Sequence, residues 1–406
     1  MKISVKVAIP IVASLFGTLM LLAASQTAVN NTGNVAPALA GFDSKTNGLV
    51  SQAQFDADRD VFEEKEDVAD GLGPVYNAPG CADCHGNPVV GGGSQITELR
   101  AGHWDGSQFT AHPGGSLIQD RAIHPDVQER MLPGFEIRAT RLSVNTLGDG
   151  YIEAIADSTL MSIANGQPLG MRGEAILVPV LEANGALRVG RFGWKNQHAS
   201  LESFAADAYL NEMGITSPLQ SVENTSNGNS VANYDQVPDP ENNGADVRAF
   251  AEFIRATKVP PRDETLANTS DADAGFKIFK EIGCDTCHVP TIVTAPPGTA
   301  INGGTFIVPP ALGNKIIHPF SDFLLHNIGT GDGILQNGGP STRNKPRTTL
   351  LWGLRTRSRL MHDGESYTRT EAILRHGGEA IIPAGLFRFG LSSLERSQLL
   401  TFLNSL

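Results

Sequence analysis

The sequence predicts a mainly α protein made of two similar halves, each a set of short helices joined by long loops. Three observations lead there. All four cysteines fall in two copies of one pentapeptide, Cys81-Ala82-Asp83-Cys84-His85 and Cys284-Asp285-Thr286-Cys287-His288. The copies stand 284 − 81 = 203 positions apart, as duplication of one module would leave them. The 44 glycines and 24 prolines punctuate the chain too often for long helices.

The spacing has a chemical meaning. Two thiols three positions apart can each add to one vinyl group of a single porphyrin, and the adjoining histidine then stands under the iron. The motif occurs twice, which predicts two covalently attached haem c groups. Cys81, Cys84, His85 and Cys284, Cys287, His288 are the attachment and proximal-ligand residues, and the fold is expected to be two cytochrome c-like haem domains with long loops. A Cys-x-x-Cys pair also suits a redox-active disulfide or half of a zinc site, and four thiols could close one structural zinc. Neither alternative requires the histidine that follows each pair. No cysteine is left over for a structural disulfide.

Lys2 and Lys6 precede an apolar run from Val7 to Ala24, with Ala23 and Ser25 at a cleavage point. This reads as a secretory signal over residues 1–25 and predicts an exported, periplasmic protein. A retained membrane anchor is the alternative, which Pro10, Ser14, Gly17 and Thr18 weaken. Cleavage removes two lysines, so the formal charge of −12 becomes −12 − 2 = −14. An acidic surface argues against nucleic acid and suits a basic electron donor, although acidity also keeps an exported protein soluble. No membrane span is expected after cleavage.

Taken in order, residues 26–243 are read as an N-terminal haem domain with loop-rich insertions and 244–406 as a C-terminal cytochrome c-like haem domain. Between Gly86 and Pro133 the chain is loop-like, and its His103, His112 and His124 are each able to reach the first iron. Ser217 to Gly244, dominated by Asn, Ser, Pro and Gly, reads as an exposed connection and marks the boundary. Val247, Phe250, Ala251 and Ile254 recur at helical spacing and predict a helix ended near Pro260. A second helix is expected from about Ala274 to Ile282, its Phe276 and Phe279 set ahead of Cys284 as in the first helix of a small cytochrome. Ser392 and Glu395 form a capping box, after which Leu399, Leu400 and Leu403 share one face of a terminal helix.

The segments GLGPVYNAPGCADCHG, QDRAI, GRFGWKNQHASLESFAADAYLNEMGITSPL, IGCDTCHVP, HPFSDFLLHNIG, LLWGLRTRSRLMHDG and AILRHGGEA occur in one order. Together they resemble the bacterial di-haem oxidoreductases described as peroxidases or thiol oxidoreductases, over nearly all of Gly71 to Leu406. That family resembles in turn the di-haem cytochrome c peroxidases and the methylamine-utilisation di-haem enzyme. In those relatives one haem takes in electrons and the other reacts with peroxide. The resemblance implies roles for particular residues. His362-Asp363-Gly364, followed by Thr368 to Ala372, is similar to a peroxidase motif whose distal ligand lies fourteen positions after the histidine. Here 362 + 14 gives His376, in place of a methionine. His288 and His376 would then be a bis-histidine pair, and two imidazoles hold ferric iron at lower potential than a methionine does. Ser200-Leu201-Glu202 opens a helix-like stretch ending at Asn211 to Gly214, which implies that Glu212 is the catalytic acid/base. Trp194 is implied as an electron relay between the haems, with Phe192 competing for the place and ordinary core packing as the alternative. The relatives often bind calcium where this chain has Arg357 and Arg359, so calcium is doubtful. His326 resembles an element near the C-terminal haem and is not read as a ligand.

The expectation is therefore a periplasmic di-haem oxidoreductase. Its C-terminal haem takes electrons from a small redox protein or a quinol-linked donor, and its N-terminal haem meets peroxide or a similar small oxidant. A non-catalytic di-haem electron-transfer protein and an accessory redox subunit of a partner protein are the alternatives. The first becomes stronger if His103, His112 or His124 caps the N-terminal iron.

Overall fold

A computed structural model of the chain describes residues 35–406; the export segment read in residues 1–25 lies outside them. Two helix pairs carry the core. Gln52–Glu63 begins at Ser51, whose hydroxyl accepts from the Gln54 N–H at 3.2 Å. It buries Phe55 and Phe62 against Phe250 and Phe253 of Ala245–Ala256, with Phe62–Phe253 ring centres 5.0 Å apart. The helix expected around Val247 thus ends at Thr257 and packs on the first helix of the described chain. Glu153, fully buried, accepts from Arg255 Nε at 2.7 Å, from Asn302 at 2.9 Å and from the Leu201 N–H at 2.8 Å. One carboxylate thereby ties four segments distant in sequence.

The second pair is Ser270–Glu281 and Ser393–Asn404. Thr269 caps the first, accepting from Ala272 N at 3.2 Å. Ser392 and Glu395 cap the other reciprocally, at 3.3 and 2.7 Å. Their crossing is close because position 275 is glycine: a Cβ there would lie 2.0 Å from the Gln398 carbonyl oxygen. Phe276, Phe279, Phe320 and Phe402 fill the space around the crossing, with Phe320–Phe402 centres at 5.6 Å.

The fold is not mainly α. Helices hold 33% of the described residues and strands 15%, a mixed α/β architecture with several small sheets. The departure is greatest in the stretch read as loop. Thr97–Trp104 forms an eight-residue strand, paired antiparallel with Phe109–Ala111, Leu117–Ile118 and Ile137–Leu142. Gly102 suggests a loop in the sequence, yet a Cβ there would meet the Phe109 ring at 2.4 Å, so glycine here admits a neighbouring side chain. A second hairpin, Leu177–Val180 with Ala186–Val189, turns through Asn184 and Gly185, both at positive φ. The segment 217–244 is irregular, with Val231 buried against Val75 and Val127. No helix among the described residues is long and apolar enough to cross a membrane.

Strand pairing also decides where charge is buried. Glu98 and Arg141 stand opposite each other in register. Arg141, almost fully buried, reaches on to Asp332 at 2.7 Å, which also takes Lys195 at 3.4 Å. Burial works against ionisation of Asp332, but Arg141 and Lys195 keep its carboxyl below the usual range. Lys195 is pushed down to about 8 by burial, against the pull of Asp332.

Two stability changes follow. Gly275→Ala should force the helices apart and cost about 1–3 kcal/mol in denaturant unfolding; an unchanged midpoint would remove the close crossing from the account. Asp332→Asn should cost about 3–5 kcal/mol, because Arg141 and Lys195 lose the carboxylate between them. Equilibrium unfolding at neutral pH checks it.

Candidate functional site

The residues after Ser270–Glu281 build the first part of the site. Cys284–Thr286 winds as a 3-10 turn, and His288 follows with its Nδ1 2.9 Å from the Phe320 carbonyl oxygen. A carbonyl only accepts, so Nδ1 carries the hydrogen and Nε2 is left with its lone pair. His376, just past Arg369–Leu374, repeats the arrangement with Nδ1 2.7 Å from the Ala372 carbonyl. The two ring centres lie 6.4 Å apart. A metal–imidazole bond of about 2 Å on each side, plus roughly 1 Å from ring centre to nitrogen, puts axial imidazoles about 6 Å apart. Burial, then the neighbouring His376, pushes His288 down to about 4, and burial lowers His376 as well, so both rings are neutral as ligation requires. Phe320, whose carbonyl orients His288, has a left-handed backbone with φ of 51°.

Both rings line a cleft of about 1690 Å³, counted to its open mouth, with Cys284 and Cys287 on the same wall. Phe279, Leu351, Leu360, Ala384 and Leu403 make it mainly apolar. Two thiols, two imidazoles with free Nε2 atoms and apolar walls are the donor set and surroundings that a bis-imidazole haem needs. Burial pushes the Cys284 thiol up to about 12 and raises that of Cys287.

The other motif shares the pattern. Cys81–Cys84 forms a single helical turn, and His85 Nδ1 lies 3.1 Å from the Gly92 carbonyl. Its Nε2 is again left as the acceptor, and burial lowers its pKa. Cys81 and Cys84 are each pushed up to about 12, chiefly by burial. The three loop histidines have local partners. His103 pairs with Glu136 at 2.7 Å, His112 Nε2 accepts from Leu132 N at 3.3 Å, and His124 caps Pro125–Val127 through Asp126 N. The thiols do not converge on a zinc. Among the described residues, the groupings able to hold a metal are Cys287, Asp322, His326 and Glu223, Asp239, Glu241.

Glu212 reaches the first motif from a π turn at the end of a helix. Leu201–Ala208, capped by Ser200, passes into a π turn over Tyr209–Met213 and stops at Gly214, φ 74°. A π turn inside a helix is typical of functional positions. The Glu212 carbonyl accepts from Asn77 N and Ala78 N at 2.7 and 3.1 Å, and Met213 Sδ lies 4.0 Å from Cys81 Sγ. The carboxyl itself accepts from Asn77 Nδ2 at 2.6 Å and contacts the Glu98 carboxyl. Burial, then the charge of Glu98, pushes Glu212 up to about 8. When ionised it lies close enough to raise the Cys84 thiol's pKa. The sequence reading missed Glu98, Arg100 and Asn77. The alternation Glu98-Leu99-Arg100, which sends both charges to one face of a strand, is the signal that would have found two of them.

Trp194 stands in the cleft wall, its indole N–H donating to the Leu142 carbonyl at 2.8 Å. The next residue, Ser143, donates to the Cys84 carbonyl at 2.5 Å, so a short chain of contacts joins Trp194 to the first motif. Phe192 lies apart, stacked on Phe204 at 5.9 Å in the core. His362 packs edge-on to Trp194 at 6.1 Å. His326 is clamped between Asp322 at 2.8 Å and Glu379 at 2.7 Å; burial opposes its charge, but these carboxylates and Cys287 raise it to about 12. Arg357 donates to the Trp352 carbonyl, and Arg359 donates to those of Gly364 and Gln95. Guanidinium groups therefore take up carbonyl oxygens near the place where calcium was considered.

Two solved structures are similar in outline. The hydrazine synthase of Kuenenia stuttgartiensis, in crystals pressurised with xenon, shares 15% identity over 93% of this chain and 97% of that one, with a TM-score of 0.41. A MauG-like protein associated with microbial copper homeostasis shares 15% identity over 93% and 94%, with a TM-score of 0.40. No curated protein matches the chain. Residues 122–406 match the model of the family described as "Di-haem oxidoreductase, putative peroxidase", and the chain belongs to that di-haem oxidoreductase family.

Proposed function

We propose that this di-haem oxidoreductase is an exported, periplasmic c-type enzyme that reduces peroxide or a related small oxidant. Its electrons would come from a small redox protein or a quinol-linked donor. The observation that carries the reading is the Glu212 carboxyl, half-buried beside the first motif with Asn77 Nδ2 donating to it at 2.6 Å, and pushed up to about 8 by desolvation and the charge of Glu98. Bound haem supplies the redox chemistry, with electrons entering at the C-terminal group and the oxidant met at the N-terminal one. Cys81, Cys84 and His85 would hold one group; Cys284, Cys287, His288 and His376 would hold the other.

The remaining chemistry falls to the chain. Cleaving an O–O bond heterolytically needs a proton taken from the near oxygen and given to the leaving one. Glu212 is suited to both, since a buried carboxyl with a pKa near working pH exchanges protons without a large energetic penalty either way. Asn77 fixes the rotamer of the carboxyl by donating to Oε2. The π turn sets the carboxyl against the segment 77–81 rather than letting it follow the α-helical spiral. Trp194 is suited to relay electrons, because its ring occupies the cleft wall and its N–H is fixed to the strand leading to Ser143. At the C-terminal group, His376 in place of a thioether favours the ferric state.

Glu212→Gln should lower the rate of peroxide reduction by about 100-fold or more while both tetrapyrroles remain attached by mass spectrometry. In the native enzyme the rate should climb as pH rises toward about 8, because the base form appears as Glu212 loses its proton. Unchanged turnover in the variant would reduce Glu212 to a structural residue. His376→Met should raise the midpoint potential of one haem and leave the other unmoved in spectroelectrochemical titration.

A further inference from the structure

We propose that Glu98 is a positioning residue for Glu212: the two carboxyls share one proton, Glu98 standing charged and Glu212 neutral, so the pair is a one-proton store beside the first motif. This rests on reading Glu212 as the acid/base group.

The two side chains arrive from unrelated elements. Glu98 comes from the Thr97–Trp104 strand and Glu212 from the π turn, and their carboxyls are in hydrogen-bonding contact. Two carboxyls in contact where solvent is partly excluded do not readily both ionise, and a hydrogen bond between them requires a proton on one. Their surroundings decide which. Glu98 receives Arg100 through Nε at 2.6 Å and Nη2 at 3.0 Å, a two-pronged ion pair, and Arg141 lies 3.8 Å away on the paired strand. Arg100 is itself steadied by Ser116 Oγ at 3.2 Å. Glu212 receives only a neutral amide, Asn77 Nδ2, at 2.6 Å. Two cations on one side and none in direct contact on the other place the charge on Glu98.

The same contacts locate the proton on one oxygen. Asn77 Oδ1 accepts from the Asp120 N–H at 2.9 Å, which fixes the amide orientation and directs Nδ2 to Glu212 Oε2. Oε2 is therefore an acceptor, which leaves Oε1 for the proton. The other ionisable groups bearing on the pair do not reverse this. Cys84 is neutral below about pH 12, Asp207 is paired with His198 at 3.1 Å while also facing Arg100, and Arg121 bears on Cys84. Beyond Arg141 stand Asp332 and Lys195, themselves paired.

The test uses the full-length protein carrying both haems, with infrared difference spectra recorded through a pH titration. The native protein should show a protonated-carboxyl band at neutral pH that disappears with a midpoint near pH 8 and is absent from Glu212→Gln. In Glu98→Gln the like charge is gone, so the midpoint should fall by about one pH unit or more, and the pH limb of peroxide reduction should fall with it. Glu98→Asp, which keeps the charge, should restore both toward native values. A midpoint unmoved in Glu98→Gln overturns the proposal. So does a native protein whose carboxyl band is already gone at pH 6, a result that needs no variant to fold. If Glu212→Gln turns over peroxide normally while the band still shifts in Glu98→Gln, the shared proton stands and the acid/base reading fails.

Discussion

Three imidazoles, His85, His288 and His376, are held by the same device, a hydrogen bond from Nδ1 to a main-chain carbonyl. That bond settles which nitrogen carries hydrogen, turns the ring, and leaves one basic lone pair facing inward. Everything else in the site is consistent with rings so fixed. Burial keeps them neutral, the thiols four positions and one position before His288 line the same cleft, and in the C-terminal half a second ring stands beside the first in that cleft. A surface histidine with a free ring would offer none of this, because both tautomers and many rotamers would be open to it.

Around these rings the protein pairs much of the charge it buries. Glu153 with Arg255, Arg141 and Lys195 with Asp332, and Glu98 with Arg100 are pairs whose members come from different elements or neighbouring strand positions. Removing any partner exposes the other to the full penalty of an unpaired ion in a low-dielectric interior, so such pairs fix register more than they add stability. Glu212 differs in having no cation of its own. Desolvation and the charge of Glu98 raise its pKa instead.

Local signals in the sequence marked the helices well. The capping box at Ser392 and Glu395, the period of Val247, Phe250 and Ile254, and the aromatic residues ahead of Cys284 all depend on neighbours within a turn or two, and helices stand at each place. The two pentapeptides were likewise visible as spacing, whereas position 376 came from the resemblance to the peroxidase motif. The sheet was not visible. Thr97–Trp104 is broken by a glycine and a histidine, and its identity as a strand depends on Ile137–Leu142, some forty residues away. Glu98, Arg100 and Asn77 were hidden for the same reason, since Asn77 meets Glu212 across 135 positions of chain. Fold class was misjudged because short strands stabilised by distant partners leave little periodicity in the sequence.

Phe320 is pulled in two directions. Its left-handed backbone suits glycine or asparagine, and a bulky ring there costs on the order of 1–3 kcal/mol. Yet that ring is sandwiched among Phe276, Phe279 and Phe402, with centres 5.6 to 6.3 Å away, and a small residue would leave a void under the helix crossing. The position is a point of local frustration that the surrounding packing overrules. Conformational ease has been surrendered there so that one carbonyl oxygen points at one imidazole, which makes the aim of His288 a property of the whole aromatic cluster rather than of the loop that bears it.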